Sequence, residues 1–252
     1  MKAVILCGGL GTRFSEQTKT KPKPMIQLGK FPILFHILKI YEKNGVNDFI
    51  LALGYKGKII EKFFNKNNLN KLNLSYHKYL KTKPRKLNWK IKFCYSGLKT
   101  MTGGRLLRLK KVLNNQEDFL LTYGDGLANI NIKKLIRFHK KNNKIATVTA
   151  VIPSARFGAL SLKGTQVKSF LEKPQSGEGW INGGFFCFKK KIFNYLKNDK
   201  TVLEEEPLSK LAKSNNLHAY KHFKYWQCMD TRRDFDLLYD QWKSKKILWL
   251  KK

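Results

Sequence analysis

Apolar and polar positions follow two rhythms along this chain. Residues 2–7, 48–53 and 119–123 are short, nearly unbroken apolar runs, as expected of strands buried on both faces. Between them the spacing turns helical. Over 32–44, Ile33, Leu34, Ile37, Leu38 and Tyr41 share one face, Pro32 stands at the start and Asn44-Gly45 supplies a stop. Ile59, Ile60, Phe63 and Phe64 do the same within 58–65, and 105–113 and 132–141 read as further amphipathic helices, while 90–95 and 146–152 read as strands. Strand and helix thus alternate through roughly the first 150 residues, which predicts repeated βαβ units on a mostly parallel sheet.

After that the rhythm changes. Segments 157–170 and 183–189 read as hairpin-like strands, followed by helices near 203–213 and 234–243. The lysine-rich segment 78–88, which holds Lys83-Pro84-Arg85-Lys86, predicts an exposed loop or insertion. No internal repeat or low-complexity linker interrupts the pattern, so one domain over 1–252 is expected.

Composition excludes some classes. With 42% hydrophobic and 13% aromatic residues the chain can bury a sizeable core, which rules out intrinsic disorder. Lys and Arg total 51 against 17 Asp and Glu, a net charge of +34 that by itself suggests a polyanionic partner. The lysines, however, are spread over almost every segment and outnumber the arginines that serve bidentate contacts, so a solvated basic surface is preferred to a dedicated nucleic-acid face. The four cysteines, Cys7, Cys94, Cys187 and Cys228, form no zinc spacing and no disulfide framework. No run approaches the ~20 apolar residues of a membrane span and the amino-terminal run is too short for a signal peptide, so no membrane association and a cytoplasmic location are expected.

Candidate chemistry lies at the ends of the apolar strands. Gly8-Gly9-Leu10-Gly11-Thr12-Arg13 follows the first strand directly, and a glycine turn in that place lets backbone N–H groups approach a phosphate. The segment matches neither the P-loop nor the GxGxxG fingerprint, and a tight structural turn would use the same glycines. Arg13 and the Lys21-Pro22-Lys23-Pro24-Met25 segment add cations that can neutralise a triphosphate, although surface cations are common in so basic a chain. Tyr123-Gly124-Asp125-Gly126 sets a carboxylate just past a buried strand, at the edge where open α/β sheets bind ligands. Asp125 there, with Asp230 from Trp226-Gln227-Cys228-Met229-Asp230-Thr231, would supply the two carboxylates that Mg²⁺ typically uses beside phosphate oxygens. Each Asp alone would serve equally as a helix cap or turn residue.

Taken together these segments resemble the sugar-1-phosphate nucleotidyltransferases. The opening glycine turn with Lys21-Pro22-Lys23-Pro24-Met25, and Glu172-Lys173-Pro174, mark that superfamily. Met101-Thr102-Gly103-Gly104-Arg105, Thr122-Tyr123-Gly124-Asp125-Gly126, Arg156-Phe157-Gly158, Ile181-Asn182-Gly183-Gly184-Phe185-Phe186 and Met229-Asp230-Thr231 follow in order and are similar to its glucose-1-phosphate cytidylyltransferase branch. The resemblance spans nearly the whole chain. It implies a Rossmann-like three-layer α/β fold with a mixed, mainly parallel central sheet, a nucleotide-binding half over about 1–150 and a sugar- and metal-binding half over about 151–252. It also implies a homo-oligomer.

The activity implied is transfer of a cytidylyl group from CTP to α-D-glucose 1-phosphate, with Mg²⁺ as cofactor and CDP-glucose and pyrophosphate as products. Leu6, Gly8, Gly9, Gly11, Thr12, Arg13, Lys23, Thr102, Gly103, Gly104, Arg105 and Gly124 then fall at nucleotide-binding positions. Gly158, Glu172, Lys173, Asn182 and Gly183 fall on the sugar side, Asp125 and Asp230 at the metal, and Arg13, Lys23 and Lys173 among the catalytic cations. Asn182-Gly183 would serve equally as a turn, and Arg105 as the opening of a helix. Two positions depart from the branch: Cys7 stands where alanine is usual and Cys228 where proline commonly precedes Met-Asp, and a thiol beside the phosphate loop is expected to make the enzyme sensitive to oxidation. Competing readings are a nucleotidyltransferase of the same superfamily with another base or phosphorylated acceptor, and a basic nucleic-acid-binding protein on this scaffold.

Overall fold

The computed structural model describes residues 1–11, 18–153, 159–163, 165–171 and 179–251. In chain order its strands are β1 (Ala3–Cys7), β2 (Gln27–Leu28), β3 (Phe31–Pro32), β4 (Asp48–Leu53), β5 (Lys90–Tyr95), β6 (Asp118–Tyr123), β7 (Gly126–Ala128), β8 (Ala146–Val151), β9 (Ala159–Lys163), β10 (Gln166–Leu171), β11 (Ile181–Lys189), β12 (Leu217–His222) and β13 (Trp226–Cys228). The α-helices are α1 (Ile33–Lys43), α2 (Gly57–Lys66), α3 (Leu69–Leu80), α4 (Thr102–Arg108), α5 (Ile132–Asn142), α6 (Glu206–Lys213) and α7 (Arg232–Lys243).

Seven strands form one sheet in the order β12-β8-β11-β6-β1-β4-β5. β1 pairs in parallel with β4 and β6, β4 with β5 and β12 with β8, whereas β11 runs antiparallel to both of its neighbours. The mixed, mainly parallel sheet expected from the sequence is therefore the one observed. Successive residues of a strand point to opposite faces, and the apolar runs divide accordingly. Ala3, Ile5, Cys7, Phe49, Leu51 and Leu53 join one core, and Val4, Leu6, Ile50 and Ala52 the other. α1 packs in the first core and is buried from Ile33 to Tyr41, because α3, α7 and Trp249 cover its outer side with an aromatic group of Phe31, Tyr76 and Trp242. α4 and α6 contribute Leu106, Leu208 and Leu211 to the second. Sheet and two helical layers give the three-layer arrangement.

Several elements differ from the sequence reading. The segment read as a loop over 78–88 begins inside α3, whose start is capped by the Asn68 side chain accepting from the Lys71 N–H at 3.1 Å. Helix α4 starts at Thr102 rather than Arg105 and ends at Arg108, so Arg105 sits within it and does not open it. Glycines are poor helix formers, which hid this start; here the absent side chain is needed, since a Cβ on Gly104 would lie 2.5 Å from the Asp199 carbonyl oxygen. The strand at 183–189 is not half of a hairpin. β9 and β10 pair with each other, while β11 inserts between β6 and β8 in the main sheet. α7 starts two residues earlier than expected, on a capping box between Thr231 and Asp234. Among the described residues, no helix is long and apolar enough to cross a membrane.

Candidate active site

The carboxyl ends of β1 and β6 lie side by side because the two strands pair in parallel, with Leu6 opposite Tyr123. The glycine turn continues from β1 and Asp125 follows β6, so both emerge at one sheet edge. Just past Asp125 the chain forms β7, which pairs with β13 and sets Cys228 opposite Gly126. Met229 N–H then donates to the Asp125 carbonyl oxygen at 3.0 Å, and Asp230 arrives beside Asp125. Asp234, 7% exposed, fixes that arrival: its Oδ2 accepts from the Asp230 and Thr231 backbone N–H groups at 3.1 and 2.9 Å, and its Oδ1 from Gln227 Nε2 at 3.0 Å.

Lys23 comes from a short 3₁₀ turn, Lys23–Met25, entered through Pro22 and held by the buried Pro24 and Met25. Its Nζ donates to Asp125 Oδ2 at 2.7 Å and to Asp230 Oδ1 at 2.5 Å. Burial pulls the Lys23 ammonium down, but the two carboxylates outweigh it and hold the group above the usual lysine value, fully charged near neutrality. The side chains are 13% exposed for Lys23, 24% for Asp125 and 23% for Asp230, which leaves one edge of the cluster open. That edge faces a cleft of about 1110 Å³, lined among others by Leu6, Gly8, Gly9, Gly11, Lys23, Thr102, Arg105, Gly124, Asp125, Asn182, Gly183 and Asp230.

Asn182 and Gly183 lie in β11, not in a turn. The pairing with β8 is irregular between Asn182 and Phe186, Gly184 has φ +77°, and Asn182 Oδ1 accepts from the Gly184 N–H at 2.8 Å. This bulge presents Asn182 to the cleft, and Trp226 Nε1 donates to the Gly183 carbonyl at 2.8 Å, tying it to the strand that leads into Asp230. Of the remaining sequence-derived positions, Gly103 and Gly104 do not line the cleft. Gly104 N–H donates to the Thr201 carbonyl at 3.1 Å and Met101 N–H to that of Asp199 at 2.8 Å, so loop 199–201 covers that end of α4. Thr12, Arg13, Gly158, Glu172 and Lys173 lie outside the described residues.

A glycine turn, a lysine bridging two carboxylates and a cleft at the carboxyl edge of a mainly parallel sheet suit a phosphate-rich ligand. Comparison with known families agrees: the model of the family described as nucleotidyl transferase matches residues 2–235. The chain belongs to the nucleotidyl transferase family. Among relatives of this nucleotidyltransferase, the glucose-1-phosphate cytidylyltransferase of Salmonella typhimurium is 44% identical, with 99% of this chain and 98% of that protein covered. The probable glucose-1-phosphate cytidylyltransferase of Bacillus subtilis is also 44% identical, with 99% of each chain covered. Among solved structures, HddC from Yersinia pseudotuberculosis superposes with a TM-score of 0.72 at 26% identity over 95% of this chain and 98% of that one. UDP-glucose pyrophosphorylase from Acinetobacter baumanii, at 18% identity and a TM-score of 0.71 over 99% of each chain, shares the fold.

Within the nucleotidyltransferase, Arg105 holds the glycine turn. The residue is 4% exposed, and its guanidinium donates to the carbonyls of Gly8 at 2.9 Å, Gly97 at 2.7 Å and Leu98 at 3.3 Å, and to Ser96 Oγ at 2.9 Å. A Cβ on Gly8 would lie 2.0 Å from Arg105 Nη1, so only glycine admits this contact. Methionine at 105 keeps most of the volume but strands several buried acceptors. Arg105→Met is therefore expected to cost about 3 kcal/mol and to lower the Tm by roughly 6–12 °C in a thermal melt without substrates.

The cysteine expectation is corrected. Cys7 is 1% exposed, and burial, with Asp125 adding to it, pushes its thiol far above the ordinary range. A buried, protonated thiol is a poor nucleophile, so Cys7 is expected to react slowly with oxidants and alkylating agents, which thiol labelling of the native protein checks. Cys228, half-buried, is pushed up to about 12 by burial and then by Asp230, Asp125 and Asp234. Sequence reasoning missed Glu204, which faces the cleft and binds Thr102 and Tyr123. Its only signal was the run Glu204-Glu205-Glu206 in so basic a chain.

Proposed function

We propose that this nucleotidyltransferase is a glucose-1-phosphate cytidylyltransferase, which joins CTP and α-D-glucose 1-phosphate to give CDP-glucose and pyrophosphate. The observation that carries the reading is the Lys23 ammonium set between Asp125 and Asp230 beside the glycine turn, in a chain 44% identical over its whole length to cytidylyltransferases. In the reaction a phosphate oxygen of the sugar attacks the α-phosphorus of CTP, the bond from that phosphorus to the bridging oxygen breaks, and pyrophosphate leaves with the electron pair. Two anions must meet, so positioning and charge neutralisation do most of the work.

The glycine turn offers its backbone to the triphosphate, and Lys23 faces the α-phosphate. Arg13 is assigned to the departing phosphates and Lys173 to the phosphate of the sugar. Thr102 belongs to the cytosine side, and Glu172, Asn182 and Gly183 to the pyranose hydroxyls. Two carboxylates that meet on a single cation, with the neighbouring Cys228 thiol held protonated, form an all-oxygen donor set suited to Mg²⁺ completed by phosphate and water. Asp125 and Asp230 would hold that ion, which supplies further shielding of the triphosphate charge.

The reading is tested by incubating the protein with CTP, glucose 1-phosphate and Mg²⁺ and separating the products. CDP-glucose and pyrophosphate in equal amounts are expected, with formation abolished by EDTA and restored by excess Mg²⁺. Absence of CDP-glucose would overturn the substrate assignment, and full activity in EDTA would overturn the role of the carboxylates.

A further inference from the structure

Glu204 precedes α6 and is half-buried, with its carboxylate at the cleft wall. Its Oε2 accepts from the Thr102 hydroxyl at 2.5 Å, and that hydroxyl oxygen in turn accepts from the Leu203 N–H at 2.9 Å. Its Oε1 accepts from the Tyr123 hydroxyl, whose oxygen accepts from Asn182 Nδ2 at 3.3 Å. The Asn182 side-chain oxygen Oδ1 accepts from the Gly184 N–H at 2.8 Å. Every donor in this chain therefore points toward one carboxylate. Burial, and then the Glu204 charge, push the Tyr123 phenol far above its ordinary value, so it remains a donor at any working pH.

We propose that Glu204 is a positioning residue that fixes Thr102 and, through Tyr123, Asn182 in one hydrogen-bonded frame, so that the nucleotide and sugar sides of the cleft are set relative to each other. A carboxylate is suited to this because it accepts at both oxygens, whereas an amide accepts at one and donates at the other. A glutamine would leave either Thr102 or Tyr123 facing an N–H with its own hydroxyl hydrogen, and that side would turn away. The inference rests on the function proposed above, since it needs nucleotide at Thr102 and sugar at Asn182.

Glu204→Gln, Tyr123→Phe and Thr102→Val are to be compared with the unaltered enzyme in steady-state kinetics and thermal melts. Orientation lost equally from ground and transition states appears in KM. Glu204→Gln is expected to raise KM for both CTP and glucose 1-phosphate on the order of tenfold, with kcat changed less than about threefold. Tyr123→Phe should raise KM for glucose 1-phosphate alone and Thr102→Val that for CTP alone. A Glu204→Gln protein that melts lower but keeps both KM values would overturn the proposal, as would single variants that move both substrates together. Should Glu204→Gln fail to fold, the Tyr123→Phe and Thr102→Val split decides alone. An unaltered enzyme that uses another nucleotide or acceptor rejects the proposed substrates, and the same comparison is then made with the pair it does use.

Discussion

Replacing Lys23 with methionine is expected to cut kcat/KM for CTP by roughly a thousandfold, and added Mg²⁺ should not restore it. The Lys23 ammonium is the counter-charge for Asp125 and Asp230, whose nearest oxygens lie 2.7 and 2.5 Å from its Nζ. Methionine removes a cation at the place where two phosphate-bearing substrates must be brought together, and it leaves two carboxylates facing each other with no ammonium between them. Both acids survive the change. A half-saturating Mg²⁺ concentration no higher than that of the unaltered enzyme, since the two carboxylates lose a competing cation, together with the collapse in rate, would identify the lysine as acting on the substrates; an undiminished rate would mean that Lys23 is a structural ion pair.

Asp125→Asn is expected to lower kcat/KM by a similar factor, roughly 10²–10⁴, but with a different signature. Asparagine is isosteric, so Met229 N–H keeps its bond to the backbone carbonyl of residue 125 and the approach of β13 is undisturbed. What is lost is one of two negative charges. The remaining carboxylate binds a divalent ion more weakly, so the Mg²⁺ titration should shift to higher concentration and part of the rate should return there. Mg²⁺ titrations of the variant measure this directly. An unshifted titration curve would remove Asp125 from the metal site.

Much of the fold was legible because the strands at the middle of the sheet are buried on both faces. β1, β4 and β6 read as plain apolar runs for that reason. α3 was not legible. Its inward face carries Asn73, which accepts from Lys39 at 2.9 Å, and Tyr76, so the hydrophobic spacing is weak although the burial is real. The start of α4 was hidden by Gly103-Gly104, which a tight contact with loop 199–201 requires. β11 looked like half of a hairpin because pairing with β6 and β8 is decided by partners distant in sequence.

At the site, Asp125 stood out as an acid beyond a buried strand, and Asp230 as an acid within a motif. Their meeting on Lys23 was not readable, since that lysine is 102 residues from one and 207 from the other. The second anchor of Asp230 was hidden likewise: in the sequence residue 234 is only the start of a predicted helix, and the fold reveals that Asp234 completes a capping box and also holds the Asp230 backbone. Arg105 was marked only by the family resemblance, as a nucleotide-side position, and its place beneath Gly8 depends on β1 and α4 packing together, which no local pattern encodes.

The central claim is that this cleft moves a cytidylyl group onto glucose 1-phosphate. The most direct measurement is kcat/KM for each of CTP, UTP, GTP, ATP and dTTP with glucose 1-phosphate, and for CTP with mannose and galactose 1-phosphates, from pyrophosphate release in Mg²⁺. The account predicts that CTP with glucose 1-phosphate exceeds every other pair. A different nucleotide or sugar giving the highest value would contradict it.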